Sequence, residues 1–243
     1  MVTQISDAVR EATARSAPAM PVKVGLMVPS NNTTMEVELA AWLPQGSTVT
    51  TLKILRGEGL LTKEAIPAYR DSAIALAREH FSDAGLDLIA YGCTAAGFIL
   101  GPAGDAEFSA MLTEATGLPV VTIARAMVRV LQHEKVKHIA VVTPYLDAVN
   151  VQLEAFLNDG GIEVVRLDSF RAPDTAALGR ITAPQVRELA RATMGPDCDG
   201  MFIGCSQLPT HAILDGLRAE FGRPTWSSIS ATAWDASRLP VAA

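Results

Sequence analysis

Short apolar runs alternate with longer amphipathic stretches along most of the chain. The run VKVGLMV at residues 22–28 is rich in β-branched side chains and precedes Pro29 and Ser30, a pattern typical of a buried parallel strand and its loop. The same criteria predict further strands at residues 47–55, 86–91, 120–123, 138–142, 162–168 and 200–203. Helical patterns run from residue 33 or 34 to about 42 and over 64–81, 105–115, 124–133, 146–159, 183–194 and 210–221. Strands that alternate with such helices predict an α/β fold with parallel sheets.

The two halves of the sequence also resemble each other. The segment that begins KHIAVVTPYLDAVN repeats the order of landmarks in the segment that begins VKVGLMVPSNNTTME: strand, proline, helix, glycine, strand. Cys93 follows Pro29 by 64 residues, and Cys205 follows Pro144 by 61. The repeat predicts two lobes related by pseudo-twofold symmetry, each a parallel sheet flanked by helices. The alternative is that any two βαβ stretches share glycine, proline and β-branched residues for backbone reasons.

The length of 243 residues allows two lobes of about 110 residues each. We place an N-terminal extension at residues 1–20, a first lobe at 21–123 together with 228–243, and a second lobe at 124–227. Hydrophobic residues make up 49% of the chain and aromatic residues only 5%, so we expect a core of Ala, Val, Leu and Ile.

The net charge of −6 and the absence of a Lys/Arg cluster disfavour nucleic acids and acidic membranes as partners, so we expect a small-molecule partner. The first 20 residues do not have the pattern of a signal peptide, and no apolar run reaches 18 residues. We therefore expect a cytoplasmic protein. A homodimer or higher homo-oligomer is expected because such assemblies are the commonest.

The three cysteines are an odd number in a chain without an export signal, which predicts free thiols. The four histidines show no metal-ligand spacing, and the sequence contains no CxxC pair, GxGxxG motif, P-loop or GxSxG elbow. We therefore expect no metal and no cofactor. An enzyme of this kind would work with its own side chains.

Two cysteines occupy equivalent places in the two halves. Cys93 and Cys205 each follow a short apolar strand and a glycine, and they precede Thr94 and Ser206, which can form hydrogen bonds. Ligands of open α/β sheets bind beyond the carboxyl ends of the strands, and a thiol at a helix N-terminus has a lowered pKa. We therefore predict two acid/base or nucleophilic thiols. The alternative, an ordinary buried cysteine, suits Cys198 in GPDCDG.

Other candidate residues surround the two thiols in the predicted topology. Ser30 and Asn32 belong to a loop rich in short donors that could bind a carboxylate, although an ordinary helix cap is the alternative. Tyr145 directly follows Pro144, where a phenol could reach the same cavity. His211 follows Cys205 by six residues and could act as a base or shield the site.

The motifs PSNNTTME, YGCTAAG, TPYLDAVN, IGCSQLPT and WDASRL together resemble the aspartate/glutamate racemase superfamily, within it the branch of maleate cis-trans isomerase and arylmalonate decarboxylase. The resemblance runs from residue 22 to residue 239. It implies a substrate enclosed between two lobes without metal or cofactor, Cys93 as nucleophile or base and Cys205 as proton donor. It also implies that Asn32 and Tyr145 hold a substrate carboxylate.

The resemblance leaves several activities open. Maleate isomerases are thought to add the first cysteine to the double bond, whereas racemases move a proton between two thiols and arylmalonate decarboxylases keep only the second cysteine. We expect a two-cysteine cis-trans isomerase of a maleate-like dicarboxylate, with a racemase of an amino acid, hydantoin or related carbon acid as the alternative. Thr94 and the pair Asp174-Thr175 depart from the isomerase pattern. A malonate-type decarboxylase and a non-catalytic ligand-binding module are further alternatives.

Overall fold

Eight parallel strands form two four-stranded sheets in the computed structural model, which describes residues 20–55 and 62–239. The first sheet has the order β2-β1-β3-β4 and the second the order β6-β5-β7-β8, so the same connectivity occurs twice. The predicted two-lobe α/β fold and its internal repeat are therefore confirmed. The strands are β1 (Lys23–Pro29), β2 (Thr48–Ile54), β3 (Leu88–Tyr91), β4 (Val120–Thr122), β5 (His138–Thr143), β6 (Glu163–Ser169), β7 (Gly200–Ile203) and β8 (Thr225–Ser227).

Ten helices and one 3₁₀ turn, Lys63–Ala65, are found in the described part of the chain. The helices flank both sheets, which is the arrangement that parallel strands require. They are α1 (Met35–Trp42), α2 (Ile66–His80), α3 (Thr94–Phe98), α4 (Gly101–Thr116), α5 (Ile123–His133), α6 (Asp147–Asp159), α7 (Thr175–Gly179), α8 (Ala183–Thr193), α9 (His211–Phe221) and α10 (Ser228–Ala236).

The two edges of each sheet differ in burial. The inner strands β3 and β7 are buried at every position, which is why their sequences are continuous apolar runs. The edge strands β2 and β6 mix exposed and partly buried positions, whereas helices cover the opposite edge strands β4 and β8, which are mostly buried. The sheet orders place β1, β3, β5 and β7 at the centre of their sheets.

Four elements were not expected from the sequence. The helices α3 and α7 have five residues each, which is too short for a periodic pattern. The strand β8 reads TWS and lacks the β-branched apolar run of the equally short β4, which reads VVT. The helix α10 is buried at eight of its nine positions, so it shows no alternation of apolar and polar faces. In addition, α4 begins at Gly101, four residues before the predicted start.

The helix α10 connects the two lobes. It contacts β3 and β4 of the first sheet and β8 of the second, and it also packs against α1 and α5. The carboxylate of Asp235 binds Arg129 of α5 at 3.1 Å. The predicted lobe boundaries stay a prediction, and residues 1–19 of the predicted extension lie outside the described residues. No helix in the described ranges combines the length and the apolar character that a membrane span requires.

Candidate active site

A small cavity of about 70 Å³ lies where the central strands of the two lobes end. Four loops form most of its wall: those after β1 and β3 in the first lobe and those after β5 and β7 in the second. The lining residues are Pro29, Asn31, Asn32, Cys93, Thr94, Ala95, Pro144, Tyr145, Leu146, Val149, Ala172, Leu178, Cys205, Ser206 and Gln207. The internal repeat therefore brings its equivalent loops together around one space.

Cys93 is held at the point where β3 passes into α3. It is the N-cap of α3 and is only 5% exposed. The preceding Gly92 is required by packing, because a Cβ there would lie 2.6 Å from both Met35 Sδ and Val28 Cγ1. The short β3 strand and this glycine thus fix the direction in which the thiol leaves the sheet.

A buried arginine supports α3 from the side away from the cavity. Arg70 is 7% exposed, and its Nη2 donates to the carbonyl oxygen of Ala96 at 3.2 Å. Burial lowers the pKa of Arg70, while the nearby Tyr91 and Asp105 oppose that shift. The hydrogen bond ties the helix that carries Cys93 to α2.

Cys205 follows β7 and is 7% exposed. Its sulfur accepts a hydrogen bond from the backbone N–H of Gln207 at 3.4 Å. Burial raises the pKa of Cys205 to about 11, although the Gln207 N–H and the Tyr145 hydroxyl act in the opposite direction. Cys205 is therefore a neutral thiol near neutral pH and can donate a proton.

The expectation of a lowered thiol pKa at a helix N-terminus is wrong for Cys205. A turn follows this residue, and the next helix, α9, begins only at His211. The thiol consequently lacks the N–H groups of a first helical turn, and desolvation of the thiolate dominates.

Asn32 lines the cavity, but most of its hydrogen-bonding capacity is used within the protein. Its Oδ1 accepts hydrogen bonds from the N–H groups of Thr34 at 3.1 Å and Met35 at 2.9 Å, and so caps the first turn of α1. Its Nδ2 donates to Ser206 Oγ at 3.1 Å. Only the second N–H of Asn32 Nδ2 remains for a substrate carboxylate, which is the role that the resemblance implies for this residue.

Hydrogen bonds join Thr94 and Ser206 across the two lobes. The N–H of Ser206 donates to Thr94 Oγ1 at 3.2 Å, and Ser206 Oγ donates to the carbonyl of Gly92 at 2.7 Å. Thr94 Oγ1 also lies 3.5 Å from Ser228 Oγ at the start of α10. The residues that follow the two cysteines therefore hold the two Gly-Cys turns against each other.

Two buried polar atoms in the cavity wall lack a hydrogen bond of standard geometry within the described residues: the Tyr145 hydroxyl and Asn31 Oδ1. The hydroxyl lies beside Cys205 and Thr94, and burial raises the pKa of Tyr145 well above its usual value, with Cys205 adding to the effect. Buried polar groups normally have partners, so these two atoms are where a ligand would form hydrogen bonds.

Two residues that sequence reasoning did not single out belong to this region. Asn31 lines the cavity, whereas only its neighbours Ser30 and Asn32 were proposed. Gln207 binds Thr33 twice, accepting from its N–H and donating to its Oγ1, both at 2.9 Å. The signal for Gln207 was its place in the motif IGCSQLPT, two residues after Cys205, although no role was assigned to it.

The structure brings six of the seven predicted site residues to the cavity: Cys93, Cys205, Asn32, Tyr145, Thr94 and Ser206. Ser30 is the exception, because it is exposed and does not line the cavity. Its N–H donates to the carbonyl of Ile54 at 2.9 Å. His211 is also exposed outside the lining, with its ring 4.8 Å from that of Trp42.

The lining combines neutral hydrogen-bonding groups with an apolar wall. It contains no Lys, Arg, His, Asp or Glu side chain among the residues that the structure describes. Leu146, Val149, Ala172 and Leu178 form the apolar wall. Within residues 20–55 and 62–239, no group of three or more His, Cys, Asp and Glu side chains could hold a metal ion.

A family model described as arylmalonate decarboxylase matches residues 24–242. Arylmalonate decarboxylase from Bordetella bronchiseptica is 32% identical over 185 residues, which cover 75% of this chain and 77% of that protein. Maleate isomerase from Nocardia farcinica is 29% identical over 237 residues, which cover 90% of this chain and 92% of that protein.

Solved structures of both enzymes share the fold. The maleate isomerase of Pseudomonas putida S16 superposes with a TM-score of 0.81 at 25% identity, covering 89% of this chain and 91% of that one. A liganded mutant of arylmalonate decarboxylase gives 0.78 at 26% identity, covering 90% and 92%. The chain therefore belongs to the arylmalonate decarboxylase family, which by these relatives also includes maleate isomerases.

Proposed function

We propose that this protein is a cofactor-independent cis-trans isomerase of a small unsaturated dicarboxylate such as maleate, with Cys93 and Cys205 as its two reacting groups. The observation that carries the proposal is that both thiols line one small cavity between the lobes. The maleate isomerase relative from Nocardia farcinica, which matches 90% of the chain, supports it. The presence of both cysteines argues against a decarboxylase that uses only the second.

The reaction needs no reagent beyond the two thiols. The Cys93 thiolate forms a C–S bond with one olefinic carbon, and the π electron pair moves to the other carbon, next to a carboxylate. Cys205 delivers its proton to that carbon, and the former double bond rotates as a single bond. Cys205 then takes a proton back, the double bond re-forms, and the C–S bond breaks to return the Cys93 thiolate.

The raised pKa of Cys205 suits it to the donor role, since it holds its proton until a strongly basic carbon develops. After the transfer, the Tyr145 hydroxyl beside it can donate to the new thiolate. Thr94, Tyr145 and the Asn31 amide supply neutral donors for the substrate carboxylates in the absence of a cationic lining residue.

A racemase is the second candidate, and the apolar wall favours it. A substrate with two carboxylates leaves Leu146, Val149 and Leu178 without an apolar group to contact, whereas a carbon acid with one carboxylate and an apolar substituent would use them. In this reaction one thiolate removes the α proton, and the opposing thiol delivers a proton to the other face of the carbon.

Proton NMR on the purified protein separates these activities. Maleate is incubated with the enzyme while fumarate is followed, and single-enantiomer amino acids and 5-substituted hydantoins are incubated in D₂O in parallel. An arylmalonate is added as a third substrate to detect decarboxylation. The isomerase proposal predicts fumarate without α-deuteration of the carbon acids. Deuterium exchange or decarboxylation without any fumarate would overturn it.

A further inference from the structure

A second cavity, the tryptophan groove, has a volume of about 420 Å³ and lies between the end of α1, the helix α9, the strand β8 and the helix α10. It shares no lining residue with the cysteine cavity. Its volume falls in the usual range of ligand sites, roughly 300 to 1,000 Å³. The lining residues are Trp42, Pro44, Arg218, Trp226, Ser230, Ala233, Trp234, Ser237 and Arg238.

All three tryptophans of the chain line this groove, although aromatic residues make up only 5% of the sequence. Each is partly buried, and the rings of Trp226 and Trp234 meet edge to face with centroids 6.3 Å apart. The result is a concave surface of indole rings that remains open to solvent. Such a surface suits a flat, apolar ligand body.

Two charged residues, Arg218 and Arg238, line the groove, and both are cationic. Arg218 lies 4.9 Å from the ring of Trp226 and 5.5 Å from that of Trp42, and it pairs with the exposed Asp215 at 2.8 Å. No carboxylate side chain lines the groove within the described residues. In a chain with a net charge of −6, this arrangement is a local site of positive charge.

Of the two arginines, Arg238 has less negative charge close to it. Its guanidinium lies 4.4 Å from the ring of Trp234 and donates to the Trp234 carbonyl at 3.2 Å, with no carboxylate within 4.0 Å among the described residues. Burial lowers the pKa of Arg238, while Asp235 and Glu134 act in the opposite direction from a distance. Asp235 is itself bound to Arg129. An anion in the groove would therefore gain a direct charge partner in Arg238.

One lining residue of the groove carries a donor that the described part of the protein does not satisfy. The Nε1–H of Trp42 is enclosed and has no hydrogen-bond partner in the described part of the chain. Buried N–H groups are rarely left without an acceptor, so this side of the groove is polar rather than purely apolar.

We propose that the tryptophan groove is a second ligand site that binds a small aromatic carboxylate, with the ring against the indoles and the carboxylate paired with Arg238. The site is separate from the proposed reaction, and its test does not depend on turnover. Because every tryptophan lines this groove and none lines the cysteine cavity, intrinsic tryptophan fluorescence reports on this site alone.

Benzoate serves as the probe, titrated into the full-length protein with fluorescence excited at the red edge of tryptophan absorption. We expect a saturable change that is unaltered in Cys93→Ser, since that residue belongs to the other cavity. Arg238→Gln should weaken benzoate binding at least tenfold, whereas Arg78→Gln, a change at an exposed arginine on α2, should leave it unchanged. Benzamide, which keeps the ring and lacks the charge, should bind at least tenfold more weakly than benzoate.

The absence of a saturable response to benzoate would overturn the proposal. An equal response to benzamide, or an unchanged affinity in Arg238→Gln, would also contradict it because the carboxylate would then not be recognised. Sedimentation velocity is run on the same samples. If tryptophan fluorescence and sedimentation coefficient change together with protein concentration in the absence of benzoate, a second copy of the chain occupies the groove and the proposal fails.

Discussion

The side-chain amide of Asn32 donates to the hydroxyl of Ser206 at 3.1 Å and so joins the loop after β1 to the loop after β7. Ser206 in turn donates to the carbonyl of Gly92, directly before Cys93. A chain of hydrogen bonds thus connects the helix cap at Asn32 to both Gly-Cys turns. Asn32 accordingly acts mainly by holding the cavity together, while Oδ1 of its neighbour Asn31 in the cavity wall has no hydrogen-bond partner among the described residues.

Adjacent asparagine variants test this division of roles. Asn32→Ala removes a cap of α1 and should lower the free energy of unfolding by about 0.5 to 2 kcal/mol. Asn31→Ala should leave stability nearly unchanged, because its Oδ1 has no partner among the described residues. It should raise KM, because the lost Nδ2 group can donate to a substrate carboxylate. Urea unfolding and steady-state kinetics on both variants provide the measurements. The division would be wrong if Asn31→Ala were the more destabilising change.

Tyr145→Phe removes only a buried hydroxyl. Because this hydroxyl makes no hydrogen bond of standard geometry within the described residues, its loss should change the free energy of unfolding by less than about 1 kcal/mol. The kcat should fall, since the Cys205 thiolate loses a donor when it forms. Thermal unfolding and kinetics on the same preparation check both parts, and a large loss of stability with unchanged kcat would contradict this role.

Each of the two cavity cysteines should be essential for turnover. Cys93→Ser and Cys205→Ser should each lower kcat by about 10²-fold or more. A positioned proton donor such as Cys205 usually contributes about 10²- to 10⁴-fold, and loss of the Cys93 nucleophile removes the covalent route. Cys198→Ser is the matched control, because Cys198 is also buried but lies outside the cavity. Full activity in either cavity variant would remove that residue from the mechanism.

The pKa of Cys205 predicts a specific loss of stability in alkaline solution. Folding raises this pKa from 9.0 to about 11, so between these values the native protein binds more protons than the unfolded chain. Stability is then fully present below pH 9 and falls as the pH rises towards 11, by roughly 3 kcal/mol in total.

Urea unfolding of the wild type and of Cys205→Ser at several pH values between 8 and about 11 isolates this contribution, because serine does not titrate there. As the pH rises from 9 towards 11, the unfolding free energy of the wild type should fall relative to that of Cys205→Ser. A difference that stays constant across this range would show that the thiol is not desolvated as described.

The sequence predicted the fold well because both halves carry strand, proline, helix, glycine and strand in the same order at similar spacing. Seven of the eight strands, β1 to β7, lie where the pattern of apolar runs predicts them. The helix α10 could not be foreseen, since a helix buried on nearly all sides has no amphipathic period. The strand β8 reads TWS and has no β-branched apolar run to distinguish it from a loop, unlike the equally short β4.

The candidate site was predictable only in part. Cys93, Cys205 and Tyr145 each follow the carboxyl end of a central strand, and the topology alone places them together. Which of three consecutive residues, Ser30, Asn31 or Asn32, turns inward depends on the local backbone, and the sequence does not determine it. The pKa of Cys205 likewise depends on burial by residues from both lobes.

The central claim is that Cys93 and Cys205 act on one substrate, and mass spectrometry of trapped protein tests it most directly. Cys205→Ser is incubated with maleate, quenched with acid and digested. We predict an adduct of the mass of one maleic acid on the peptide that carries Cys93. In this variant water or the serine hydroxyl supplies the proton that completes the addition, and no thiolate is present to remove it again, so the adduct accumulates. The absence of an adduct on Cys93, with an adduct elsewhere or wild-type rates of fumarate formation, would contradict the account.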